Sequence, residues 1–189
     1  MPSVYLISDT HFSHNNICRF TRPDGSPLRP WDDANEMDEA LIENWNSTVK
    51  PGDKVYHLGD VAIPRRGIKI LEKLNGDKVL IKGNHDIYKL NDYLPYFRDI
   101  RSCHVMNGCF LSHVPIHTES LGRFGCNIHG HTHSRRVMKT LDSGETVIDP
   151  LYYNVCVECT NYRPILFEEV LKNIKQQEGS SGFRDHVWD

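Results

Sequence analysis

Five short apolar runs in this chain each lead into aspartate, asparagine or histidine residues. The runs are rich in valine and isoleucine and are closed by glycine or polar residues, which is typical of buried strands. Ligands collect beyond the carboxyl ends of the strands in open α/β sheets, so we expect these polar residues to meet at one edge of a sheet. The runs and the residues that follow them are 4–8 with Asp9 and His11, 55–58 with Asp60, 79–82 with Asn84, His85 and Asp86, 110–112 with His113, and 126–129 with His131 and His133.

The residue types in these clusters are those that bind metal ions. Asp9 and His11 are two residues apart, so at a strand end they can face the same side and bind one cation. Asp60 has two carboxylate oxygens and is suited to bridge two cations. Mixed nitrogen and oxygen ligation favours transition metals over calcium or magnesium, and a structural zinc site would favour cysteine. The predicted ligands of two transition-metal ions are Asp9, His11, Asp60, Asn84, His113, His131 and His133.

Charge and geometry favour a catalytic role for such a site. Two divalent cations opposed by two aspartates and a bridging hydroxide leave a local charge of about +1, which suits an anionic phosphate. Paired metals roughly 3.5–4 Å apart generate hydroxide at neutral pH and hold both the attacking and the leaving oxygen. His85 lies beside Asn84 and can face the substrate, where it would protonate the leaving oxygen while Asp86 orients its ring. The pattern therefore predicts a hydrolase acting at phosphorus.

Composition limits the remaining classes of function. The chain has 189 residues, enough for one domain with a full core. Its net charge of −3 argues against a protein that coats nucleic acid through a global basic field. No apolar stretch approaches the roughly 18 residues of a membrane helix. We expect a cytoplasmic protein without a membrane partner.

The six cysteines are not expected to form a disulfide framework, since the chain is not small and no signal peptide is recognised. Cys156 and Cys159 have the C-x-x-C spacing of redox and zinc motifs. If they lie on a strand, this odd spacing sends their side chains to opposite faces. We therefore predict two buried cysteines rather than a metal or redox site.

The elements between the clusters follow from capping residues and periodicity. Residues 12–31 form a long loop, which in a compact domain is usually functional. A helix is predicted from Asp32 or Asp33 to about Val49, and a second one with Ile70, Leu71 and Leu74 inward. This strand–helix–strand order places Asp60 and Asn84 on neighbouring parallel strands.

The rest of the chain is predicted as helical or irregular cover over residues 87–101, then short strands over 103–157. Hairpin turns are expected at residues 107–108 and 142–144. A last helix runs from Phe167 to about Gln176. We predict a single domain over residues 1–178 and a flexible tail over 179–189.

Five motifs also follow one another in a defined order. They are D-x-H at Asp9 and His11, G-D at Asp60, G-N-H-D at residues 83–86, a single histidine at His113, and G-H-x-H at residues 130–133. This set resembles the calcineurin-like metallophosphoesterases over roughly residues 3–175. The first loop and residues 36–39 resemble those of small bacterial and phage members.

The resemblance implies a four-layer α/β/β/α sandwich with two mixed β-sheets, the metallophosphoesterase fold. It also implies two divalent ions, with manganese as first choice and iron, zinc or nickel as alternatives. One ion would be held by Asp9, His11, Asp60 and His133, and the other by Asp60, Asn84, His113 and His131. By the same resemblance His85 is the catalytic acid, supported by Asp86.

The sequence defines the reaction more closely than it defines the substrate. Arginines follow several strand ends, and if they converge they form a basic rim for a second phosphate or a nucleic acid backbone. Arg19, Arg22 and His14 are predicted to bind substrate, and a phosphodiester or nucleotide-type substrate is favoured. A non-catalytic, metal-binding protein-interaction scaffold and a phosphoprotein phosphatase remain as alternatives. The arginines are Arg19, Arg22, Arg29, Arg65, Arg66, Arg135 and Arg136.

Overall fold

The computed structural model describes residues 2–177 of the protein. The predicted tail, residues 179–189, lies outside them, so the domain boundary at 178 stays a prediction. The strands are β1 (Val4–Ile7), β2 (Lys54–His57), β3 (Asp77–Ile81), β4 (Asp99–Arg101), β5 (His104–Met106), β6 (Cys109–Ser112), β7 (Cys126–His129), β8 (Met138–Thr140), β9 (Thr146–Ile148), β10 (Tyr152–Asn154) and β11 (Ile165–Leu166). The helices are α1 (Ala34–Thr48), α2 (Leu90–Tyr93), α3 (Thr118–Leu121) and α4 (Phe167–Gln177), with 3₁₀ helices at Asn15–Arg19, Arg65–Lys73 and Val157–Cys159.

Two mixed β-sheets form the centre of the fold. The first has the order β11-β1-β2-β3-β4, in which β1 to β4 are parallel and β11 is antiparallel. The second has the order β10-β7-β6-β5, with β5 antiparallel to the rest. Strands β8 and β9 form a separate hairpin. The predicted fold class, α/β with two mixed sheets, is confirmed.

The two larger sheets pack face to face through apolar side chains such as Leu6, Val79, Leu111 and Ile128, which are fully or almost fully buried. Helix α4 contacts β1, β10 and β11 and so closes one side of this core. On the outer face of the first sheet, Val55 and Leu80 belong to the cluster that α1 covers.

The outer face of the second sheet is covered by the short helix α3 and the segment before it. The Tyr152 hydroxyl donates to Ile116 O at 2.8 Å and lies 3.1 Å from Thr118 Oγ1, so the segment leading into α3 lies across β10. Helices on both sides therefore enclose the sheet pair, with α1 much longer than α3.

Helix α1 begins as predicted because Asp33 caps it. The Asp33 carboxylate accepts from the backbone N–H groups of Asn35 and Glu36. Asp38, in the second turn of α1, contacts the first loop. The Asp38 carboxylate accepts from Ser13 N at 2.9 Å and thereby holds the first loop against the helix.

The predicted second helix is a 3₁₀ helix, Arg65–Lys73, which buries Ile68 and Leu71. Two strands were not predicted, β4 within residues 87–101 and the two-residue β11. Both hairpin turns were predicted correctly. Asn107 and Gly108 have φ angles of 49° and 75°, which a two-residue hairpin of this kind requires. Over residues 2–177, no helix combines the length and apolar character that crossing a bilayer requires.

Candidate metal centre

The structure brings the predicted ligands together where the carboxyl ends of the two sheets meet. Asp9, His11 and His133 form one group, and Asp60, His113 and His131 form a second, with the ligand atoms of each group within 4.8 Å of one another. Asn84 joins the second group, because its Oδ1 lies 2.8 Å from His113 Nε2. The sheets are joined at this edge by backbone hydrogen bonds from Ser8 N to Val155 O and from Val155 N to His129 O.

Asp60 lies between the two groups. Its Oδ2 is 3.7 Å from His11 Nε2 on one side and 3.3 Å from His113 Nε2 on the other. Nitrogen and oxygen ligands lie about 2.0–2.2 Å from a zinc ion, so two ligands of one ion are separated by roughly 3–4 Å. The observed spacings fit one oxygen facing two cations.

Each aspartate uses one oxygen for the protein and presents the other to the site. Asp9 Oδ2 accepts from Ser8 Oγ at 2.6 Å and from His131 N at 2.8 Å. Asp60 Oδ1 accepts from His85 N at 2.8 Å. Within the described residues, Asp9 Oδ1 and both ring nitrogens of His11 are buried without a hydrogen-bond partner.

Such buried polar atoms cost about 1–3 kcal/mol each when nothing binds them, so their grouping fits a bound cation. Burial alone would raise the pKa of Asp9, but the charges of His11, His113 and His133 hold it well below its usual range. The Asp9 carboxylate is therefore ionised, as a ligand must be.

The backbone is strained at most of the predicted ligands. Nine non-glycine residues in the described part have a positive φ, and five of them are predicted ligands. Each such conformation costs roughly 1–2 kcal/mol for an L-residue. The chain turns sharply as it leaves each strand, which aims the side chains at a common centre. The five are Asp9 (58°), His11 (49°), Asp60 (57°), His131 (69°) and His133 (50°).

Two glycines of the motifs are required by close packing. A Cβ on Gly130 would lie 2.5 Å from Asp9 Oδ2 and still closer to Ser8 Oγ. A Cβ on Gly83 would lie 2.5 Å from Asp60 N. Strand ends that carry ligands can thus approach one another only with glycine at these positions.

Two of the histidines are oriented by hydrogen bonds from the ring nitrogen that faces away from the site. His113 Nδ1 donates to Leu58 O at 2.7 Å, so Nε2 is the nitrogen that faces Asn84 and Asp60 in the site. Burial alone would lower the pKa of His113, but its hydrogen bond to Asp60 and the charges of Asp9 and Asp60 raise it to about 9. His133 Nδ1 lies 3.0 Å from Glu158 Oε1 and is oriented in the same way.

Arg29 was expected on the basic rim, and this interpretation is wrong. The side chain is 1% exposed and binds inward, because its guanidinium donates to Thr10 O at 2.8 Å, to Asp9 O, and to Glu158 Oε1 at 2.9 Å. The sequence did not reveal Glu158 as part of the site, and its side chain is also fully buried. Arg29, Glu158 and His133 therefore form a chain of charge-assisted bonds behind the first ligand group.

Cys156 and Cys159 do not lie on a strand, so the argument that they face opposite ways is also wrong. Val157–Cys159 is a 3₁₀ helix, and both sulfurs face the ligand loops. Cys156 Sγ donates to Asp9 Oδ2 at 3.2 Å, and Cys159 Sγ donates to His133 O at 3.2 Å. Burial and the charge of Asp9 raise the pKa of Cys156, so it remains a neutral thiol that can donate.

Asp86 is not placed to orient the ring of His85. Its Oδ2 accepts from Asp60 N at 2.9 Å and Gly83 N at 2.8 Å, and its Oδ1 accepts from Val61 N at 3.0 Å. The carboxylate thus ties the end of β2 to the end of β3. His85 itself is exposed, and its ring centroid lies 5.6 Å from that of His11.

The predicted substrate-binding residues lie at different places. His14 stands beside the site, with its ring centroid 5.7 Å from that of His11. Burial and the charges of His11 and Arg29 lower the pKa of His14 to about 4. Arg22 lines a pocket that also includes His133. Arg19 is exposed at the end of a 3₁₀ helix.

The remaining arginines do not all converge on the ligand groups. Arg135 lines the same pocket as Arg22. Arg65 and Arg66 line a separate pocket, and Arg65 pairs there with Asp92. Arg136 lines a third pocket with Tyr153. The predicted basic rim is therefore divided, and only one part of it adjoins a ligand group.

The chain is similar to known proteins over most of its length, although no family model matches it. It is 36% identical over 184 residues to the uncharacterized protein MJ1445 of Methanocaldococcus jannaschii, covering 93% of both chains. The crystal structure of the protein of unknown function AQ665 from Aquifex aeolicus matches 91% of this chain and 99% of its own, at 27% identity and a TM-score of 0.66.

A third match is weaker. Vps29 of Entamoeba histolytica, solved in complex with zinc, is 18% identical with a TM-score of 0.38, over 80% of this chain and 77% of that one. The full-length similarity to the archaeal protein is the decisive one, and the chain belongs to the family of MJ1445.

Proposed function

We propose that the protein is a dinuclear metal-dependent phosphoesterase of the calcineurin-like type, acting on phosphodiester or nucleotide-type substrates. The observation that carries the proposal is the position of Asp60 Oδ2, which faces a histidine of each ligand group at 3.7 and 3.3 Å. One carboxylate oxygen shared by two His/Asp groups supports a pair of cations over two independent ones. Since the archaeal relative is itself uncharacterized, the proposal rests on this site.

The donor set fits transition-metal ions, with manganese as the first choice and iron, zinc or nickel as alternatives. Asp60 would be shared, Asp9, His11 and His133 would hold one cation, and Asn84, His113 and His131 would hold the other. When bound, the two cations would supply a nucleophile derived from water at neutral pH and neutralise charge at phosphorus.

His85 would act as the proton donor. Its ring belongs to neither ligand group and is open to solvent beside His11, where a substrate would approach. Its backbone N–H is fixed on Asp60 Oδ1 at 2.8 Å, so its position depends on the shared aspartate. In this position the imidazolium can give a proton to the leaving alkoxide oxygen. Asp86 acts as a positioning residue, because it fixes the backbone of Asp60 and Gly83.

Metal content and hydrolysis measured on the same preparations test the proposal. Purified protein is loaded with manganese, zinc, nickel or magnesium and assayed with a phosphomonoester, a phosphodiester and cyclic nucleotides. We expect about two transition-metal ions per chain and hydrolysis of the diester. Asp60→Asn should lower the occupancy of both ions, whereas Asp142→Asn, in the exposed β8–β9 turn, should match the wild type.

Two outcomes would contradict different parts of the proposal. Full occupancy of both ions in Asp60→Asn would remove the bridging role. Two bound ions without hydrolysis of any ester would support the non-catalytic scaffold instead, and activity on phosphopeptides but not on diesters would support a phosphoprotein phosphatase.

A further inference from the structure

One pocket of the protein opens directly beside the first ligand group. It has a volume of about 360 Å³, and His133 forms part of its lining. Small-molecule pockets range upward from about 300 Å³, so this one can take a group of nucleoside size. A molecule with its phosphate at the ligand groups would therefore extend into it past His133.

The two walls of this pocket differ in origin and share a positive charge. Phe20, Arg22 and Leu28 come from the first loop, and Thr132 and Arg135 come from the loop that carries His133. Among the described residues that line the pocket, none carries a carboxylate. The charge of the lining therefore favours an anionic ligand over a cationic one.

Phe20 gives the pocket an aromatic surface. Although it is a large apolar side chain, it is 48% exposed, and its ring stands edge-on to that of His14 at 6.2 Å. Every nucleobase has a π-face, so an exposed aromatic ring beside cationic side chains is the usual combination in sites for bases. A sugar phosphate without a base would leave this ring exposed.

The walls are held in place before any ligand binds. Asn154 Nδ2 donates to Thr132 Oγ1 at 2.9 Å, to His133 O at 2.8 Å and to Arg135 O at 3.0 Å. On the other wall, Leu28 N donates to Phe20 O at 2.8 Å. A preformed pocket loses less conformational freedom on binding.

We infer that this pocket binds the nucleoside part of a nucleotide-type phosphodiester, with the base stacked on Phe20 and Arg22 and Arg135 near the phosphate side. The inference rests on the proposed function for the position of the scissile phosphate. It adds a subsite for the base, which would distinguish a nucleotide from a phosphoester of similar charge without a base.

Two matched pairs of probes test the inference. Thymidine 5′-(p-nitrophenyl phosphate) and methyl p-nitrophenyl phosphate share the leaving group and differ in the nucleoside. Adenosine 5′-monophosphate and ribose 5-phosphate share the sugar phosphate and differ in the base, and their binding to metal-free protein is measured by calorimetry. Base stacking on an aromatic side chain corresponds to about 5- to 150-fold in affinity, so we expect that preference for the probe with the base in each pair.

Variants then assign the preference to the pocket. Phe20→Ala should abolish most of it, with little change for the probes that lack a base. Arg22→Gln should raise KM or Kd for both members of each pair, because both carry the phosphate. Arg98→Gln, an exposed arginine that pairs with Asp77 near the start of β3, should behave as the wild type.

Failure of the inference and failure of the proposed function give different results. If the loaded protein hydrolyses both diesters equally well, or if Phe20→Ala affects both members of a pair alike, the pocket does not bind a base. If neither diester is hydrolysed but adenosine 5′-monophosphate still binds better than ribose 5-phosphate through Phe20, the pocket stands and the catalytic proposal falls.

Discussion

Glu158→Gln tests the buried connection between Arg29 and His133. Glu158 Oε1 accepts from His133 Nδ1 at 3.0 Å and from Arg29 Nε at 2.9 Å. Although burial opposes it, the charges of Arg29 and His133 lower the pKa of Glu158, so the native side chain is a carboxylate. Glutamine keeps the size of the side chain and removes its charge. His133 would lose the anionic acceptor that holds its Nδ1 proton and strengthens Nε2 as a ligand.

The expected effect on metal binding follows from the position of His133. Substitutions of such outer partners typically lower metal affinity or activity about 10- to 100-fold. The loss should fall on one ion, because His133 belongs to the group with Asp9 and His11 but not to the group with His113. At a free-metal concentration between the wild-type Kd and the weakened Kd, the wild type should therefore hold about two ions per chain and the variant about one.

The same substitution should lower stability. It leaves the buried Arg29 guanidinium without its carboxylate, and breaking a buried pair costs about 3–5 kcal/mol. The glutamine oxygen can still accept a hydrogen bond, so the lower figure applies. At roughly 2–4 °C per kcal/mol for a domain of this size, the melting temperature should fall by about 6–12 °C.

Competition with a chromophoric chelator measures the two affinities, and differential scanning calorimetry measures the melting temperature. Glu119→Gln is the matched control, because Glu119 also lies near a histidine, His117 at 3.9 Å, but on the exposed surface. If Glu158→Gln binds both ions with wild-type affinity, Glu158 does not position His133. If both ions weaken equally, the effect comes from general loosening of the site and the assignment to one group is refuted.

The position of the candidate site could be predicted from sequence because its residues are tied to local patterns. Each ligand follows an apolar run directly, and parallel strands bring their carboxyl ends to the same edge. Asp60 and Asn84 therefore had to be neighbours once β2 and β3 were recognised, and the structure pairs these strands in parallel. The caps and turns were predictable for the same reason, since Asp33 and Asn107 act on residues next to them.

Contacts between distant residues could not be predicted in this way. Arg29 and Glu158 are 129 positions apart, and nothing local distinguishes a buried arginine from the exposed arginines around it. Asp86 lies next to His85 in sequence, yet its carboxylate accepts from three backbone N–H groups that follow β2 and β3. Strands β4 and β11 contain three and two residues, too few for any periodicity to appear.

Two further predictions concern an exposed histidine, His85, and a fully buried one, His57. His85→Ala should keep both metal ions and lower kcat by about 10²- to 10⁴-fold on esters with a poor alkoxide leaving group, while nitrophenyl esters, which need little protonation, should be much less affected. Loss of metal, or equal slowing of both ester types, would make His85 a structural residue. His57 is fully buried, and its hydrogen bonds require the neutral ring, since Nδ1 accepts from Gly59 N at 3.2 Å while Nε2 donates to Thr10 Oγ1 at 2.9 Å. Burial lowers the pKa of His57 to about 3 in the folded protein, whereas the pKa in the unfolded chain is about 6.5. Between these two pH values, only the unfolded chain binds the proton. The free energy of unfolding of the chelator-treated protein should therefore decrease as the pH falls through this window, by an amount on the order of a few kcal/mol. Urea unfolding at a series of pH values measures it, and His57→Gln should have a flatter profile. An equally steep profile in the variant would assign the pH dependence to other groups.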